Sequence, residues 1–295
     1  MNSPIKRKEL PEREVFYRVG KSPFLYAGYQ CNNHCIFCFE AGRFFPKKTT
    51  LELKKEIDTI RKNFDFINFM GQEPTLRDDL IELITYAKNK KFDQIGLTTN
   101  GRMFAYEEFT EEILKSKINQ IGLTVAGCTS KIHDEHTSIK GSFEQSLKGI
   151  KNILRHKSPD FSFLLNLMIT QKNYKQLVKI VDFYIDLGVR EINIGHIMPL
   201  NKKIRKSKKI IARMSDVIPS LAKSYQKHRD SVKFLFVEYP ACTFEKKYRF
   251  MAFPCLEENP EKKRIPICKK CKYKSKCSGI SEAYLNLYGD EEFKL

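Results

Sequence analysis

Short apolar runs alternate along the chain with longer amphipathic segments, an order typical of β–α units. The apolar runs predict strands at residues 24–29, 64–70, 94–99, 120–126, 161–169 and 191–197. The amphipathic segments predict helices at residues 50–63, 77–90, 106–117, 142–155, 173–187 and 211–227. Such a series predicts a parallel sheet with right-handed crossovers. The run "FSFLLNLMI" is apolar throughout, which indicates a strand buried on both faces.

The composition of the sequence changes near residue 232. The alternation of apolar and amphipathic segments stops there, and cysteine, proline and lysine become frequent. We therefore expect an N-terminal extension over 1–23, an α/β core over 24–231 and a small cysteine-rich domain over 232–295. The apolar runs are too short to predict a membrane span. The opening "MNSPIKRKELPEREVFYRVG" lacks the apolar region of a secretory signal, so we expect a cytoplasmic protein.

The chain is strongly basic, with a formal net charge of +18. Its densest basic stretch, "NKKIRKSKKI" at 201–210, follows the sixth predicted strand. This stretch could steer an acidic peptide, a phosphorylated metabolite or RNA. Charge runs are more often solvated surface, and we favour that interpretation.

His196 ends the sixth strand and could donate a proton or contact a substrate, although one histidine is weak support.

The chain contains nine cysteines, a number that favours metal or redox use over a disulfide scaffold in a chain of this length. Cys31, Cys35 and Cys38 lie in "CNNHCIFC", directly after the first strand, where β/α barrels carry their chemistry. A structural zinc site needs four ligands, and His34 is poorly placed as the fourth. Three thiolates suit a [4Fe–4S] cluster with one open iron. The isolated Cys128 is expected to be a small buried residue.

A second group of cysteines lies near the end of the chain. Three of them form a C-x2-C-x5-C block of Cys268, Cys271 and Cys277. A fourth ligand could come from Cys255 or Cys242. On spacing alone, a zinc site and an iron–sulfur cluster are equally well supported.

The first cysteine motif, with Phe37 before its last cysteine, resembles the signature of the radical S-adenosylmethionine (SAM) superfamily. The stretch "FMGQEPTLRDDL" at 69–80 resembles the glycine-glycine-glutamate-proline motif of that family, and it departs from the motif at Gln72, where glycine is usual.

Two further segments extend the resemblance to residues 24 to about 200. "LTTNG" at 97–101 ends the third strand. "HDEHTSIKGSFEQSLKGIKNIL" at 133–154 contains Gly141 and Phe143, which open a helix in the family pattern. The resemblance implies an α/β fold, a partial (β/α)6 TIM-like barrel. It also implies an oxidoreductase-type enzyme that reductively cleaves SAM to a 5′-deoxyadenosyl radical, which abstracts hydrogen from a substrate.

The resemblance also implies roles for individual residues. Cys31, Cys35 and Cys38 would hold the catalytic [4Fe–4S] cluster. The implied SAM contacts are Phe37, Gly71, Gln72, Glu73, Pro74, Thr99, Asn100, Thr124 and Asn166. In the family, the glutamate and the exposed backbone beside it grip the methionine ammonium group. The last two residues would touch the SAM carboxylate and ribose, or else be ordinary polar residues near strand ends.

The C-terminal cysteines resemble the auxiliary-cluster appendages called SPASM and twitch domains. The five cysteines of this region are too few for the two-cluster SPASM version, so the resemblance implies one auxiliary [4Fe–4S] cluster. The implied ligands are Cys255, Cys268, Cys271 and Cys277, with Cys242 as a spare or as the replacement for Cys255. A fully ligated cluster would relay electrons, whereas one with an open iron could bind substrate.

The implied partners are SAM, a substrate and an electron donor such as a flavodoxin or ferredoxin. Families with this appendage modify peptides or protein side chains as maturases, so we expect such a substrate or a small anionic molecule. The alternatives are a nucleotide or tRNA modification enzyme, with nucleic acid possible but not favoured, and a non-catalytic iron–sulfur or zinc-binding regulator. The ending "EEFKL" lacks the glycine-glycine-arginine tail of the molybdopterin-precursor enzymes, which argues against that subfamily.

Overall fold

The computed structural model describes residues 23–38, 40–41, 46–197, 204–252 and 262–295. Seven parallel strands form one sheet in sequential order. They are β1 (Phe24–Tyr26), β2 (Phe66–Met70), β3 (Gln94–Thr99), β4 (Gln120–Val125), β5 (Ser162–Ile169), β6 (Glu191–His196) and β7 (Lys233–Val237). This sequential order of β–α units confirms the expected α/β class with a partial TIM-like barrel.

Helices follow most of the strands. They are α1 (Thr50–Arg61), α2 (Leu80–Asn89), α3 (Glu107–Lys115), α4 (Ser130–Thr137), α5 (Ser142–His156), α6 (Leu177–Asp186), α7 (Met214–His228) and α8 (Glu282–Tyr288). The six predicted helices are present; four are shorter than predicted, α7 is shifted towards the C-terminus and α5 is one residue longer. Helices α4 and α8 were not predicted, because each is only about two turns long and shows little apolar periodicity.

Helix α1 illustrates how local sequence positions these elements. Thr49 accepts a hydrogen bond from the Glu52 backbone N–H, and the Glu52 carboxylate accepts one from the Thr49 N–H. This capping box satisfies N–H groups that a helix start leaves unpaired. Leu53 and Ile57 lie one turn apart and are buried against the sheet. The helices thus cover the outer face of the sheet.

Strand β5 corrects one expectation. Its side chains alternate between half-exposed and buried instead of being buried on both faces. The odd-numbered residues, such as Leu165, pack against the helices, while the even-numbered ones, such as Asn166, line the concave face. The partial barrel is therefore open on its inside, and this leaves room for ligands.

The sheet contains one strand more than the six predicted. Strand β7 pairs in parallel with β6, although it lies beyond the expected domain boundary at residue 231. That boundary and the N-terminal extension stay predictions, and residues 1–22 lie outside the described part. The cysteine-rich region adds a two-stranded antiparallel pair, β8 (Lys262–Lys263) and β9 (Ile280–Ser281).

The end of the chain is tied to the start of α7. The Met214 N–H donates to the Tyr284 hydroxyl at 2.7 Å, and the Ser215 N–H donates to the Glu292 carboxylate at 2.7 Å. Tyr284 in turn donates to Glu292 at 2.5 Å. The C-terminal region thereby satisfies N–H groups at the start of α7 and is held against the sheet edge.

Candidate active site

The first cysteine motif forms a loop at the C-terminal end of β1. Its backbone is bound to the end of α4, since the His34 N–H donates to the Thr137 carbonyl at 2.8 Å and the Ile36 N–H donates to the His136 carbonyl at 2.9 Å. The unpredicted helix α4 therefore positions the loop. Phe37 is buried beside the His136 ring, with 6.3 Å between centroids.

The thiols of this loop lie in an environment that opposes ionisation of the unliganded side chains. Burial raises the pKa of both Cys31 and Cys35, and the neighbouring thiolates of Cys38 and Cys31 raise the pKa of Cys35 further. A bound cation would reverse this balance and keep the sulfurs deprotonated. The Cys31 Sγ also accepts hydrogen bonds from the Asn33 N–H at 3.4 Å and from the Asn100 Nδ2 at 3.8 Å.

The spacing of the sulfurs is wider than a mononuclear zinc site needs. Within the described residues, the sole trio of possible ligand side chains whose atoms lie within 4.8 Å of one another is the exposed group Glu107, Glu111 and His156. Sulfurs about 2.3 Å from one zinc ion would lie about 3.8 Å apart. The loop supplies three thiols, one fewer than the four ligands of a closed structural zinc site. His34 is exposed, in line with the expectation that it is not a ligand.

Two residues after β3 brace the cysteine loop. The Asn100 Nδ2 donates to the Asn32 Oδ1 at 2.7 Å. The Arg102 guanidinium contacts the Asn32 carbonyl and donates to the Asn33 Oδ1 at 3.0 Å. Arg102 was missed by sequence reasoning, although its place directly after "LTTNG" was the available signal.

The "GQEP" segment after β2 approaches the β1 backbone very closely. A side chain at Gly28 would place its Cβ 2.3 Å from the Gly71 carbonyl oxygen, and Gly71 itself has a φ of +88°. Gln72, the departure from the family motif, has a φ of +22°, and its N–H donates to the Glu40 carboxylate at 2.7 Å. The backbone of this segment is therefore held in place at the site.

Glu73 is 1% exposed, and its carboxylate accepts four hydrogen bonds. The donors are the Thr75 N–H and hydroxyl, the Thr99 hydroxyl at 2.7 Å and the Asn100 N–H at 2.7 Å. Burial raises its pKa, and these hydrogen bonds oppose that rise. Pro74 opens a short 3₁₀ helix directly after it. The carboxylate thus ties the loop after β2 to the end of β3.

The remaining predicted SAM contacts lie on the concave face. Thr124 and Asn166 are paired in register on β4 and β5, and both are half-exposed. Asn166 accepts a hydrogen bond from the Asn193 Nδ2 at 3.0 Å, and the buried Asn193 Oδ1 has no hydrogen-bond partner among the described residues. Asn193 was missed because its position on β6 gives no sequence motif.

Four cysteines line one small cavity in the C-terminal region: Cys242, Cys268, Cys271 and Cys277. Burial raises the pKa of Cys242 to about 12, and the charges of the other three thiolates contribute to that rise. The Cys277 Sγ accepts a hydrogen bond from the Gly279 N–H at 3.4 Å. Cys255, the expected fourth ligand, lies outside the described residues.

A cavity of about 310 Å³ separates the end of β6 from this cysteine site. Its wall includes Tyr239, which is 2% exposed and whose hydroxyl has no hydrogen-bond partner among the described residues. Glu238, with a φ of +67°, and Lys262 form a buried ion pair in the same wall at 2.8 Å. Arg249 also lines the cavity. The cavity wall therefore offers several polar groups to a ligand.

Two weaker candidates can be placed as well. His196 is buried in the cavity wall, and both of its ring nitrogens face backbone carbonyls, of Ala212 at 2.9 Å and of Ile197 at 3.3 Å. In the basic stretch, residues 201–203 lie outside the described part. The Lys208 ammonium lies 5.3 Å from the centroid of the Tyr288 ring.

Comparison with known families gives a match over more than half of the chain. The family model described as "Radical SAM superfamily" matches residues 25–184. That range covers the cysteine loop, the "GQEP" segment and β1 to β5.

Curated proteins with similar sequences have different names. One, named probable GTP 3′,8-cyclase, from Sulfurisphaera tokodaii, is 24% identical over 210 residues, covering 66% of this chain and 65% of that protein. Another, named AdoMet-dependent heme synthase, from Methanosarcina barkeri, is 25% identical over 176 residues, covering 58% of this chain and 49% of that protein. The chain thus spans between half and two thirds of the length of these relatives.

Solved structures share the fold at low sequence identity. Streptococcus suis SuiB bound to precursor peptide SuiA has a TM-score of 0.59 and 20% identity, covering 73% of this chain and 48% of that one. A structure of anSMEcpe with bound AdoMet and Kp18Cys peptide has a TM-score of 0.67 and 14% identity, covering 92% of this chain and 91% of that one. The second likeness includes the cysteine-rich region.

No helix in the described residues is long and apolar enough to cross a membrane.

Proposed function

The chain belongs to the radical SAM superfamily, and we propose that it is an enzyme of this family that modifies a peptide or protein side chain. Family membership implies a [4Fe–4S] cluster and SAM. When bound, this pair supplies a one-electron cleavage of SAM and a carbon-centred radical that abstracts hydrogen. The observation that carries the proposal is the convergence of the cysteine loop and the "GQEP" segment at the C-terminal edge of the sheet, beside an open concave face.

Cys31, Cys35 and Cys38 hold the cluster in this proposal. With three protein ligands, such a cluster would have one iron available to SAM. The loop is braced by Asn100 and by the end of α4, so the sulfurs are positioned before a cluster binds. Preorganisation of this kind lowers the cost of assembling a metal site.

The SAM methionine end lies against the segment from Gly71 to Pro74. Because the Glu73 carboxylate is already engaged by donors from Thr75, Thr99 and Asn100, it acts here mainly by positioning the loop, and the backbone of the segment would contact the ammonium group. Phe37 is buried directly before Cys38 and would shield the cluster from water. Thr124 and Asn166 face the carboxylate and ribose from the concave face.

The C-terminal cysteines hold one auxiliary [4Fe–4S] cluster, and Cys242 is its fourth ligand in place of Cys255. The support is that Cys242 lines one cavity with Cys268, Cys271 and Cys277. Four cysteine ligands leave no open iron. A cluster held in this way would supply electron transfer and would not bind substrate.

The substrate side chain occupies the cavity between β6 and the auxiliary site. A volume of about 310 Å³ lies in the range of small-ligand pockets and suits one side chain of a peptide. The unpaired Tyr239 hydroxyl offers a hydrogen bond there. The likeness to structures solved with bound peptides supports a peptide substrate.

A second candidate is modification of a nucleotide. It is favoured by the relatives named probable GTP 3′,8-cyclase, at 24% and 25% identity. Arg249 and Lys276 in the cavity lining could contact a phosphate. The two candidates differ in which compound stimulates SAM cleavage.

The test is anaerobic reconstitution followed by metal analysis and a SAM-cleavage assay with dithionite. About eight irons per chain, no zinc and formation of 5′-deoxyadenosine are expected. A synthetic peptide library should raise the cleavage rate above the substrate-free level, and GTP should not. Stimulation by GTP alone would favour the nucleotide candidate, and absence of SAM cleavage would reject both.

Single alanine variants assign the two clusters. Cys38→Ala should lose about four irons and all SAM cleavage. Cys242→Ala should lose about four irons but retain the first cluster, while Cys255→Ala and the buried Cys128→Ala serve as matched controls with unchanged iron. Loss of iron in Cys255→Ala and not in Cys242→Ala would restore the ligand set expected from the sequence.

A further inference from the structure

We propose that a collar of exposed basic side chains around the four-cysteine site is the docking surface for an acidic electron-donor protein. The collar consists of Arg264, Lys269, Lys270, Lys272, Lys274 and Lys276. This inference rests on the proposed function, because a cluster held by the four cysteines is what would receive the electron.

The collar lies in a long stretch of the chain that carries positive charge only. Residues 262–281 contain eight lysines and arginines, namely Lys262, Lys263 and the six collar residues, and no aspartate or glutamate. This stretch therefore supplies 8 of the net +18 charges. The stretch at 201–210 remains the densest basic cluster of the sequence, and the 262–281 stretch is a second, longer one.

Among the described residues, the collar side chains have no ion-pair partner, whereas the two lysines before them do. Lys262 pairs with Glu238 at 2.8 Å, and Lys263 lies 3.8 Å from Glu282. Across the part of the chain that the structure describes, no collar side chain has a carboxylate oxygen within 4.0 Å. Exposed like charges repel one another, and surface charges of a small domain are usually mixed in sign. An outward positive field of this kind attracts and orients an acidic partner.

The collar and the cysteine site are one structural unit. Lys269 and Lys270 separate Cys268 from Cys271 in the chain. The Arg264 guanidinium donates to the Cys277 carbonyl at 3.1 Å and lines the same cavity as the thiols. A protein docked on the collar would therefore lie directly over the auxiliary site.

The chemistry of the site favours an electron donor over a nucleic acid. Reductive cleavage of each SAM needs one electron from outside, so a reduced flavodoxin or ferredoxin must lose one electron while the chain gains it. Single-stranded RNA instead requires exposed aromatic rings on which bases stack. Tyr273 is the single aromatic residue of the 262–281 stretch, and it is half-buried with the Lys272 ammonium 5.2 Å from its ring centroid.

The test measures the binding of a purified acidic flavodoxin to the reconstituted chain by biolayer interferometry. The collar variant is Lys269→Glu/Lys270→Glu/Lys272→Glu. The matched control, Lys55→Glu/Lys148→Glu/Lys151→Glu, makes the same charge change at exposed positions on α1 and α5. At about 20 mM salt the collar variant should bind at least about tenfold more weakly than wild type. The difference should disappear near about 0.5 M salt because the interaction is screened.

Each other outcome contradicts the proposal. If the collar variant bound flavodoxin as tightly as wild type, the donor would dock elsewhere. If the control variant lost as much affinity as the collar variant, the effect would come from net charge and not from the collar. Loss of affinity for a single-stranded RNA oligonucleotide with unchanged flavodoxin binding would make the collar a nucleic-acid surface. If the charge-reversed chain fails to fold, the Lys269→Gln/Lys270→Gln/Lys272→Gln variant replaces it. Dithionite-driven SAM cleavage, which bypasses the donor, tests the proposed function separately and should be the same in all variants.

Discussion

At the scale of single residues, the most informative side chain is Glu73. A carboxylate that is 1% exposed would be costly to bury if its oxygens were not hydrogen-bonded. Its donors come from its own loop and from the end of β3, so the charge links two strand ends that both face the site. The sequence indicated contact with SAM, whereas the structure adds this positioning role.

Replacing this charge tests the positioning role. Glu73→Gln keeps the size of the side chain but turns one acceptor oxygen into a donor that faces N–H and hydroxyl donors. We expect a loss of about 1–3 kcal/mol in the free energy of unfolding and weaker SAM binding, measured by urea denaturation and by equilibrium dialysis. Glu82→Gln, at a carboxylate that is 57% exposed, should change stability by less than about 1 kcal/mol. Unchanged stability and SAM affinity in Glu73→Gln would show that the four hydrogen bonds are unimportant.

At the scale of elements, the site is built where connections from neighbouring strands converge. The cysteine loop follows β1, the "GQEP" segment follows β2 and the Asn100 bracing follows β3. In a parallel sheet these connections leave from the same edge, so residues far apart in sequence become neighbours. At Gly28 the connections after β1 and β2 lie very close to each other.

A methyl group at Gly28 tests this close approach. The added Cβ would lie 2.3 Å from the Gly71 oxygen and 2.8 Å from the Glu73 nitrogen, both backbone atoms that cannot rotate away. Gly28→Ala should therefore lower stability by about 1–3 kcal/mol or more and reduce the iron bound by the cysteine loop. In Gly195→Ala the nearest atom is the flexible Met168 sulfur at 3.3 Å, so this control should bind iron normally. Normal iron binding in Gly28→Ala would mean that the two connections can separate without cost.

At the scale of the whole molecule, buried histidines link the stability of the fold to pH. Burial lowers the pKa of His133 from its ordinary value of 6.5 to about 4, and it also lowers that of His196. His133 lies on α4, the helix that holds the cysteine loop. The unfolded chain binds protons at these histidines near pH 6.5, whereas the folded chain does so only at lower pH. Stability is therefore present above pH 6.5 and is lost as the pH falls towards 4.

This dependence predicts a specific change in a denaturation series. Between pH 7 and pH 5 the free energy of unfolding should decrease, with His133 alone contributing about 1–2 kcal/mol. Glutamine stays neutral over this range, so His133→Gln should flatten the profile. Urea denaturation at each pH gives the measurement. A profile of the same slope in the variant would assign the pH dependence to other groups.

Much of the fold could be predicted because its signals are local. The alternation of apolar and amphipathic segments reflects which residues must be buried, and it identified six strands and six helices. The motif of Cys31, Cys35 and Cys38 is likewise contained in one loop. The (β/α) class and the superfamily followed from these patterns and are confirmed, whereas the individual site roles remain predictions.

The tertiary structure decided what depends on contacts between distant residues. It brought Cys242 to the C-x2-C-x5-C block, placed Arg102 and α4 against the cysteine loop and added β7 to the sheet. The sequence does not specify these contacts, because each of them forms only after separate β–α units have packed together. The sequence by itself determined the order of the elements and the chemistry of the thiols, and the packing decided which side chains share a site.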